Sequence, residues 1–344
     1  MENFGSWSIL TTNFLIILYL ALGGVTLASV LQLVNAKWRF PIRRLAVSFA
    51  ILFPVAGILL IILLVNGEHT FQWLPHAHEA GNHLPGWHNY LFLFCREILG
   101  FVTVGLLYVL FIKYQHESEI DDSYRAQRRF RNIALLIPFI YFSYASMVAW
   151  DFEMTMSPGW HSSIYAPYHF QSNFVCFLAV MYLVVLYFGK SGRLTKPIEP
   201  KLYNYFAQFM LAMTILWTYL YFAQYLIMWY GRLPHEMDRY HNMMTGFAPL
   251  WWTFLSMKFI FPFVTLAFTP NRHNPAVIAL VACSIIIGTW IERYTWIAGS
   301  VKPSEYHMPM TAASDWIITI GLFVISLALL RWTWSKFDIV KARA

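Results

Sequence analysis

Apolar residues fall into nine long runs that are separated by short polar segments. A helix needs about 20 apolar residues to cross a membrane, and each run has about that length. The runs cover residues 8–35, 45–65, 90–113, 131–151, 166–189, 203–230, 246–268, 275–298 and 314–335. The first run is too long for a signal peptide, so we expect it to remain as the first span. The pattern predicts one polytopic, all-α integral membrane domain over residues 1–344.

The composition agrees with a membrane protein. Hydrophobic residues make up 58% of the chain and charged residues only 12%, whereas soluble domains carry roughly 25% charged residues. The cysteines Cys95, Cys176 and Cys283 each stand alone in an apolar run, so we expect neither covalent haem nor an iron–sulfur cluster in this chain. His76 and His78 lack nearby cysteines that would complete a metal-ligand set, and polar loop residues are the favoured interpretation.

The distribution of basic residues predicts the orientation. Lys and Arg accumulate in the cytoplasmic loops of membrane proteins. Most of the 24 basic residues lie in segments 36–44, 113–131 and 190–201 and in the tail after residue 330. These segments share one side if all nine runs cross the membrane, which predicts an outer N-terminus and a cytoplasmic C-terminus. The net charge of +7 reflects this bias and needs no nucleic-acid partner.

Several polar side chains lie inside the runs or at their outer ends. Such groups are costly in a membrane and are therefore functional candidates. They are Arg96, Glu97, Asp151, His169, Gln224, Glu292, Arg293 and Asp315. Arg96, Gln224 and Glu292 each lie about six residues from an outer end, which is roughly 9 Å below the outer surface. The set therefore belongs to one leaflet.

Two interpretations of these residues remain open. They can pair with one another and hold helices together, or they can surround a polar pocket that opens from the outer leaflet. Adjacent residues on a helix point about 100° apart, so we expect Glu292 and Arg293 to find partners on other helices. Lys258 lies deeper in its run, where its side chain either extends to the inner surface or belongs to a proton route.

Four segments resemble one family of membrane proteins. They are DFEMTMSPGWHSSIYAPY at Asp151–Tyr168, GTWIERYTWI at Gly288–Ile297, YLIMWYGRLPHE at Tyr225–Glu236 and AKWRFPIRRLAVSFAILFPVAGILL at Ala36–Leu60. These segments resemble the large quinol-handling membrane subunits of alternative complex III, which belong to the NrfD-like (polysulfide reductase membrane subunit) family. The similarity runs from about residue 20 to about residue 320, and the Asp-Phe…Pro-Gly-Trp-His segment is its most specific part.

The resemblance implies a fold and a setting. It implies two four-helix bundles, 8–151 and 166–298, followed by an additional helix at 314–335. It also implies a respiratory quinol:electron-acceptor (cytochrome c type) oxidoreductase complex in the bacterial cytoplasmic membrane. Its partners would be a molybdopterin-type iron–sulfur subunit and c-type cytochrome subunits on the outer face, with room for a second NrfD-like subunit. The chain departs from these relatives in having nine spans rather than ten, and in having Lys258 where one of them usually has His.

The resemblance also suggests roles for particular residues. Within the family the quinol site lies near the outer surface of the first bundle. Asp151 and His161 occupy matching positions, with Glu292 and Arg293 as further candidates for such positions. We expect Asp151 to accept a quinol proton, and His161 to be a second acceptor or a head-group partner. The quinol-binding candidates are Arg96, Glu97, His169, Gln224, Glu292 and Arg293, and the proton-route candidates are Lys258 and Asp315.

Two other functions remain open at this point. The chain can be a non-catalytic membrane anchor that docks redox subunits through its His-rich outer loops. It can also be a proton-conducting companion subunit, with Lys258, Glu292 and Asp315 along the route. Quinone or quinol is the cofactor that we expect the complex to use.

Overall fold

The computed structural model describes residues 4–75, 77, 84, 86–191, 199–232, 234–299 and 308–336. It is 86% helix, and these ranges contain no strand. The α-helices in them are α1 (Phe4–Leu33), α2 (Arg39–Val47), α3 (Phe53–Val65), α4 (Gly67–Thr70), α5 (Tyr90–Ile120), α6 (Tyr124–Ala149), α7 (Tyr165–Lys190), α8 (Pro200–Tyr230), α9 (Pro234–Gly246), α10 (Ala248–Leu255), α11 (Phe261–Ala267), α12 (Thr269–Arg272), α13 (Pro275–Ala298) and α14 (Ala313–Lys336).

Nine helical stretches in the described part of the chain are long and apolar enough to cross a membrane, which confirms the predicted number. The third and fourth stretches, Tyr90–Ile120 and Tyr124–Met154, are longer than predicted. The basic segment 113–131 is therefore helical except for a short turn at 121–123. The longer fourth span also includes Glu153, which the sequence analysis left outside the membrane. The division into two bundles and the orientation stay predictions.

The first helix is the centre of the packing. α1 contacts α2, α3, α6, α7, α13 and α14, and most of its side chains are buried. Gly24 allows α2 to approach closely, because a Cβ atom at this position would lie 2.1 Å from the carbonyl oxygen of Ala46. A side chain at residue 24 would therefore push the two helices apart.

Prolines explain two breaks in the helical pattern. A 3-10 segment, Ser48–Leu52, joins α2 to α3, and a π-helical turn, Ser256–Ile260, joins α10 to α11. Pro54 and Pro262 are the second residues of the helices that follow, α3 and α11. Proline has no N–H to donate and its ring clashes with the carbonyl four residues earlier, so the regular α pattern cannot continue there. A second π-helical turn, Trp150–Met154, ends the fourth span.

The spans alternate in direction, so their connections lie at two ends of the molecule. We call one end the basic end, because the turns at 34–38 and 121–123 and the adjoining Arg43 and Arg44 lie there. The opposite end carries residues 66–75, 86–89, 155–164 and 234–247 of the connections. Seven of the predicted site residues lie in the half of their span nearer to the opposite end: Arg96, Glu97, Asp151, His169, Gln224, Glu292 and Arg293. Lys258 lies near the middle of its span.

Candidate functional site

Polar side chains near the opposite end form two buried clusters and line one cavity. We name them by a central residue. The Glu292 cluster contains Glu153, His169, Lys258, Glu292 and Arg293; the Arg96 cluster contains Trp87, Arg96, Glu97 and Asp151; the His161 cavity is lined by Trp150, Met154, His161, Ser162, Ser163, Ile164, Gln224, Ile227, Met228 and Glu236.

The Glu292 cluster is assembled from two helices and two π-helical turns. One face of α7 carries Tyr165, Tyr168, His169 and Ser172. These residues recur at intervals of three and four, so they line up along the helix. That face packs against α13, which supplies Glu292 and Arg293. Glu153 and Lys258 come from the two π-helical turns, a type of turn that is frequent at functional sites.

Glu292 is the centre of its cluster and is fully buried. Its donors are the Lys258 ammonium, the Tyr168 hydroxyl, Ser172 Oγ at 2.6 Å, Arg293 Nη2 at 2.8 Å and Trp217 Nε1 at 3.0 Å. A carboxylate offers about four lone-pair sites. These donors therefore saturate Glu292 and leave it no free position for a ligand.

Glu153 is the second carboxylate of this cluster and is equally buried. Arg293 Nη1 donates to both of its oxygens, at 3.0 and 2.7 Å. His169 Nδ1 lies 2.8 Å from Glu153 Oε2, and the Tyr165 hydroxyl donates to the same oxygen. Two carboxylates thus balance two cations inside the membrane-spanning part, which is the arrangement that makes buried charge tolerable.

The pairing in this cluster corrects one expectation. Glu292 and Arg293 were expected to find partners on other helices rather than simply to neutralise each other. They do bond to Lys258 and Glu153, but the Arg293 guanidinium also reaches back to Glu292. Adjacent side chains point about 100° apart on a helix, but the arginine side chain is long enough for its guanidinium to reach the Glu292 carboxylate.

The Arg96 cluster is held by a two-point ion pair. Arg96 Nε and Nη2 donate to the two oxygens of Asp151 at 2.7 and 2.5 Å. Trp87 Nε1 also donates to Asp151, at 2.7 Å, and the Arg96 guanidinium lies 4.0 Å from the Trp87 ring centroid. Such bidentate pairs are strong and fix geometry, and the ring adds a cation–π contact. Both oxygens of Asp151 are therefore occupied.

Glu97 lies beside this ion pair and is fully buried. Neither of its carboxyl oxygens has a hydrogen-bond partner within the described ranges. Of these two carboxyl groups only that of Asp151 accepts hydrogen bonds from Arg96, which also donates to the Trp87 carbonyl oxygen at 3.3 Å.

The His161 cavity has a volume of about 460 Å³. Its walls come from the connection between the fourth and fifth spans, from the end of α8 and from the start of α9. His161 is exposed in this cavity, whereas Gln224 in its wall is only 1% exposed. Neither amide atom of Gln224 has a hydrogen-bond partner among the residues that the structure describes. The cavity therefore combines an accessible imidazole with a buried amide that has its donors and acceptor free.

One layer of side chains separates the cavity from each cluster. Trp150, in the cavity wall, packs edge-on against Trp87 with ring centroids 5.6 Å apart, and Trp87 holds Asp151. On the other side, Met154 and Met228 belong to the aromatic packing around the Glu292 cluster. Asp151 and Glu292 consequently lie behind the cavity wall rather than in it.

The structure brings the predicted site residues together in three groups. His169, Lys258, Glu292 and Arg293 share the Glu292 cluster; Arg96, Glu97 and Asp151 share the Arg96 cluster; His161 and Gln224 share the cavity. Asp315 lies elsewhere, at the start of α14, where its Oδ2 accepts a hydrogen bond from the Met310 N–H at 3.2 Å. Lys258 and Asp315, the two residues proposed for a proton route, therefore lie apart, one in the Glu292 cluster and the other at the start of α14.

Sequence reasoning missed Glu153 and Arg239. Glu153 would have been found had the fourth span been extended by three residues. Arg239 was counted as a loop residue, but it is 3% exposed in α9, and it donates to the carbonyl oxygens of Glu153 at 2.8 Å and Trp296 at 2.9 Å. Burial lowers the pKa of Arg239 from its ordinary value. No simple sequence signal identifies such a residue, because the two carbonyl oxygens to which it donates belong to the backbone.

Metal chemistry has no support from these residues. Within the part of the chain that the structure describes, no group of three or more His, Cys, Asp or Glu side chains could hold a metal ion. His76 and His78, the one sequence pattern that suggested half a metal site, lie outside the described residues.

Comparison with known proteins adds no family assignment. No protein-family model matches the chain, and a search of curated proteins finds no match. The resemblance to NrfD-like subunits thus rests on the four sequence segments alone.

Proposed function

We propose that this chain is the membrane subunit of a respiratory quinol-oxidising complex in a bacterial cytoplasmic membrane, and that the quinol head binds in the His161 cavity. The observation that carries the proposal is Gln224, a buried amide in the cavity wall without partners among the described residues. A buried amide without hydrogen bonds costs about 1–3 kcal/mol. A ligand head that both donates and accepts hydrogen bonds, as a quinol hydroxyl does, would recover that loss.

The cavity suits such a ligand in size and surroundings. Ligand sites usually have volumes of about 300–1,000 Å³ and mostly apolar walls with a few polar groups, and this cavity of about 460 Å³ falls within that range. Ile227 lines the cavity and is 56% exposed on the outside of the helix bundle. The isoprenoid tail of a quinol can leave along Ile227 into the surrounding lipid.

Oxidation of one quinol releases two protons and two electrons and leaves one quinone. His161 can accept one proton, because its imidazole is exposed in the cavity. Glu236 also lines the cavity and can accept the other. The two electrons would pass to an iron–sulfur centre of a partner subunit docked on the same end, and c-type cytochromes would take them further.

Asp151 has a different part in this proposal from the one that the sequence suggested. Both of its oxygens accept hydrogen bonds from Arg96 and Trp87. We therefore assign Asp151 to positioning: it holds Trp87, which supports Trp150 in the cavity wall. Arg96 and Glu97 act with it, and the Glu292 cluster supports the wall from the other side.

Replacement of Gln224 in the intact complex tests the proposal. Gln224→Met keeps the side-chain length but removes both hydrogen-bonding groups, so we expect the KM for quinol to rise at least tenfold, the equivalent of about 1.4 kcal/mol. The matched control is Gln171→Met. Gln171 is also buried in a span, but its amide already bonds to the Met213 carbonyl at 3.1 Å. Equal effects of the two substitutions on KM, or no effect of Gln224→Met, would contradict the assignment.

A second candidate function is proton conduction by a companion subunit of the same kind of complex. Ionisable side chains form a continuous chain from Glu153 through Arg293 and Glu292 to Lys258. His169 adds a ring nitrogen, Nε2, that has no partner among the described residues. Lys258→Met in liposome-reconstituted complex would abolish proton translocation but spare quinol oxidation if this candidate is correct.

A further inference from the structure

A second cavity lies at the basic end and is distinct from everything described above. It has a volume of about 770 Å³ and is enclosed by the second span, α5 and α14. We call it the Gln115 groove. Its lining residues are Arg44, Val47, Ser48, Ala50, Ile51, Phe53, Pro54, Gly105, Tyr108, Val109, Ile112, Gln115, His116, Glu119, Thr333 and Lys336.

The groove is polar at one end and apolar along its length. Arg44, Glu119 and Lys336 lie at its mouth, whereas Phe53 and Gly105 lie at its far end. Gly105 and Glu119 are 14 residues apart on α5, which corresponds to about 21 Å. The apolar half of a bilayer is about 15 Å thick. The groove thus has the length and polarity of a lipid molecule whose head lies at the basic end.

Small residues and the broken second span keep the groove open. The 3-10 segment Ser48–Leu52 contributes Ala50, whose small side chain leaves space in the wall. A Cβ atom at Gly105 would lie 2.8 Å from the Phe53 ring. Phe53 in turn stacks on Phe101, with ring centroids 4.0 Å apart. This stack closes the far end of the groove.

Cations outnumber carboxylates among the described residues at the mouth. Glu119 forms ion pairs with Arg43 and Arg44, each at 2.6 Å. Lys336 adds a further cation from α14. This charge favours an anionic head group over a zwitterionic one, and basic pockets between spanning helices are typical binding sites for anionic lipids.

A buried amide gives the groove a specific hydrogen-bonding position. Gln115 is 5% exposed and lines the groove, and its Oε1 has no hydrogen-bond partner within the described chain. An acceptor without a donor in a buried position is costly. The hydroxyl groups of a glycerol head group are suitable donors.

We propose that the Gln115 groove binds one anionic glycerophospholipid, with its phosphate at Arg44 and Lys336, a head-group hydroxyl on Gln115 and one acyl chain along α5. The bound lipid joins α14 to the second and third spans. This site is independent of the quinol site, because the groove and the His161 cavity lie at opposite ends of the spans.

Native mass spectrometry of the purified protein, with the partners it carries, tests the proposal. Phosphatidylglycerol and phosphatidylcholine with identical acyl chains are added back after delipidation. We expect one phosphatidylglycerol molecule to bind at least tenfold more tightly than phosphatidylcholine. Equal binding of the two lipids, or displacement of the bound lipid by a quinone, would overturn the proposal.

Two variants with matched controls locate the site. Ala50→Phe fills the groove and should reduce phosphatidylglycerol binding at least tenfold, whereas Ala328→Phe, on the exposed side of α14, should not. Lys336→Gln should weaken phosphatidylglycerol binding about fivefold through the loss of one cation, and Lys190→Gln, exposed at the same end, should have no effect. Lys336 is exposed, so its replacement does not disturb packing. Variants that bind like their controls would refute the location.

Discussion

The Glu292 cluster and the His161 cavity both place polar groups among aromatic side chains near the same end of the molecule, yet they differ in how those groups are bonded. Glu292 and Glu153 have every carboxylate oxygen bonded by buried donors. Gln224, on a neighbouring span, has neither amide atom bonded among the described residues. Gln224 lines a cavity of about 460 Å³.

This difference separates a structural role from a binding role. Buried polar groups in proteins are almost always hydrogen-bonded, and a saturated network holds helices in place without offering a site. An unbonded buried amide beside a cavity is the exception that a ligand explains. Both regions have buried polar side chains near the same end of the spans, and the hydrogen bonding of those side chains distinguishes the two regions.

The largest expected effect on stability comes from removing a charge from the Glu292 cluster. Glu292→Gln removes one negative charge and leaves Lys258 and Arg293 with one carboxylate between them, so we expect the free energy of unfolding to fall by about 3–5 kcal/mol. Glu117→Gln is the matched control, because Glu117 pairs with Lys113 on the exposed surface of α5. Its loss should cost at most about 0.5 kcal/mol. Denaturant unfolding of both variants in one detergent measures the contrast, and similar losses would remove the distinction between the two regions.

Alanine substitutions at Gly288 and Gly159 should give a smaller difference in stability, again with the larger loss in the Glu292 cluster. A Cβ atom at Gly288 would lie 2.7 Å from Lys258 Cγ, whereas a Cβ atom at Gly159, in the connection that walls the cavity, would meet nothing within 4 Å. Gly288→Ala should therefore displace Lys258 and cost about 1–3 kcal/mol. Gly159→Ala should stay within about 0.5 kcal/mol of the parent protein. Thermal unfolding compares the two, and a harmless Gly288→Ala would indicate that Lys258 is not tightly held.

The smallest expected effect is on the pH dependence of stability, through His88, which lies near Arg96. Burial lowers the pKa of His88 from its ordinary value of 6.5, and the nearby Arg96 lowers it further. Because the folded protein binds this proton less readily than the unfolded chain, the stabilising contribution is present above pH 6.5 and is lost as the pH falls below that value.

His88→Gln should therefore reduce the fall in Tm between about pH 7.5 and about pH 5.5. His273→Gln, a substitution at an exposed histidine of the basic end, should leave that fall unchanged. A steeper pH dependence in His88→Gln would show that the sign is wrong.

Much of the fold could be predicted from the sequence. A run of apolar residues is a direct consequence of the membrane environment, so the nine spans were identifiable from length alone. Their ends were less accurate, because the basic residues of 113–131 extend two helices beyond the apolar part. The π-helical turn at Trp150–Met154 also kept Glu153 helical past the predicted end.

The site could be predicted only in part. The depth of Arg96, Gln224 and Glu292 along their spans predicted that they share one half of the membrane, and each lies about six residues from an end of its helix in the structure. Which residues meet could not be predicted, because Arg96 and Asp151 are 55 residues apart and Glu153 and Arg293 are 140 apart. Such pairs depend on the packing of helices around α1, which periodicity does not encode.

The central claim is that the His161 cavity is the place where the quinol head binds. The most direct test is a density map of the intact complex with a tight-binding quinol analogue. We predict density for its head group within hydrogen-bonding distance of the Gln224 amide, with the tail leaving past Ile227. Head-group density against Glu292 or Asp151, or a cavity that stays free of the analogue at saturating concentration, would contradict the account.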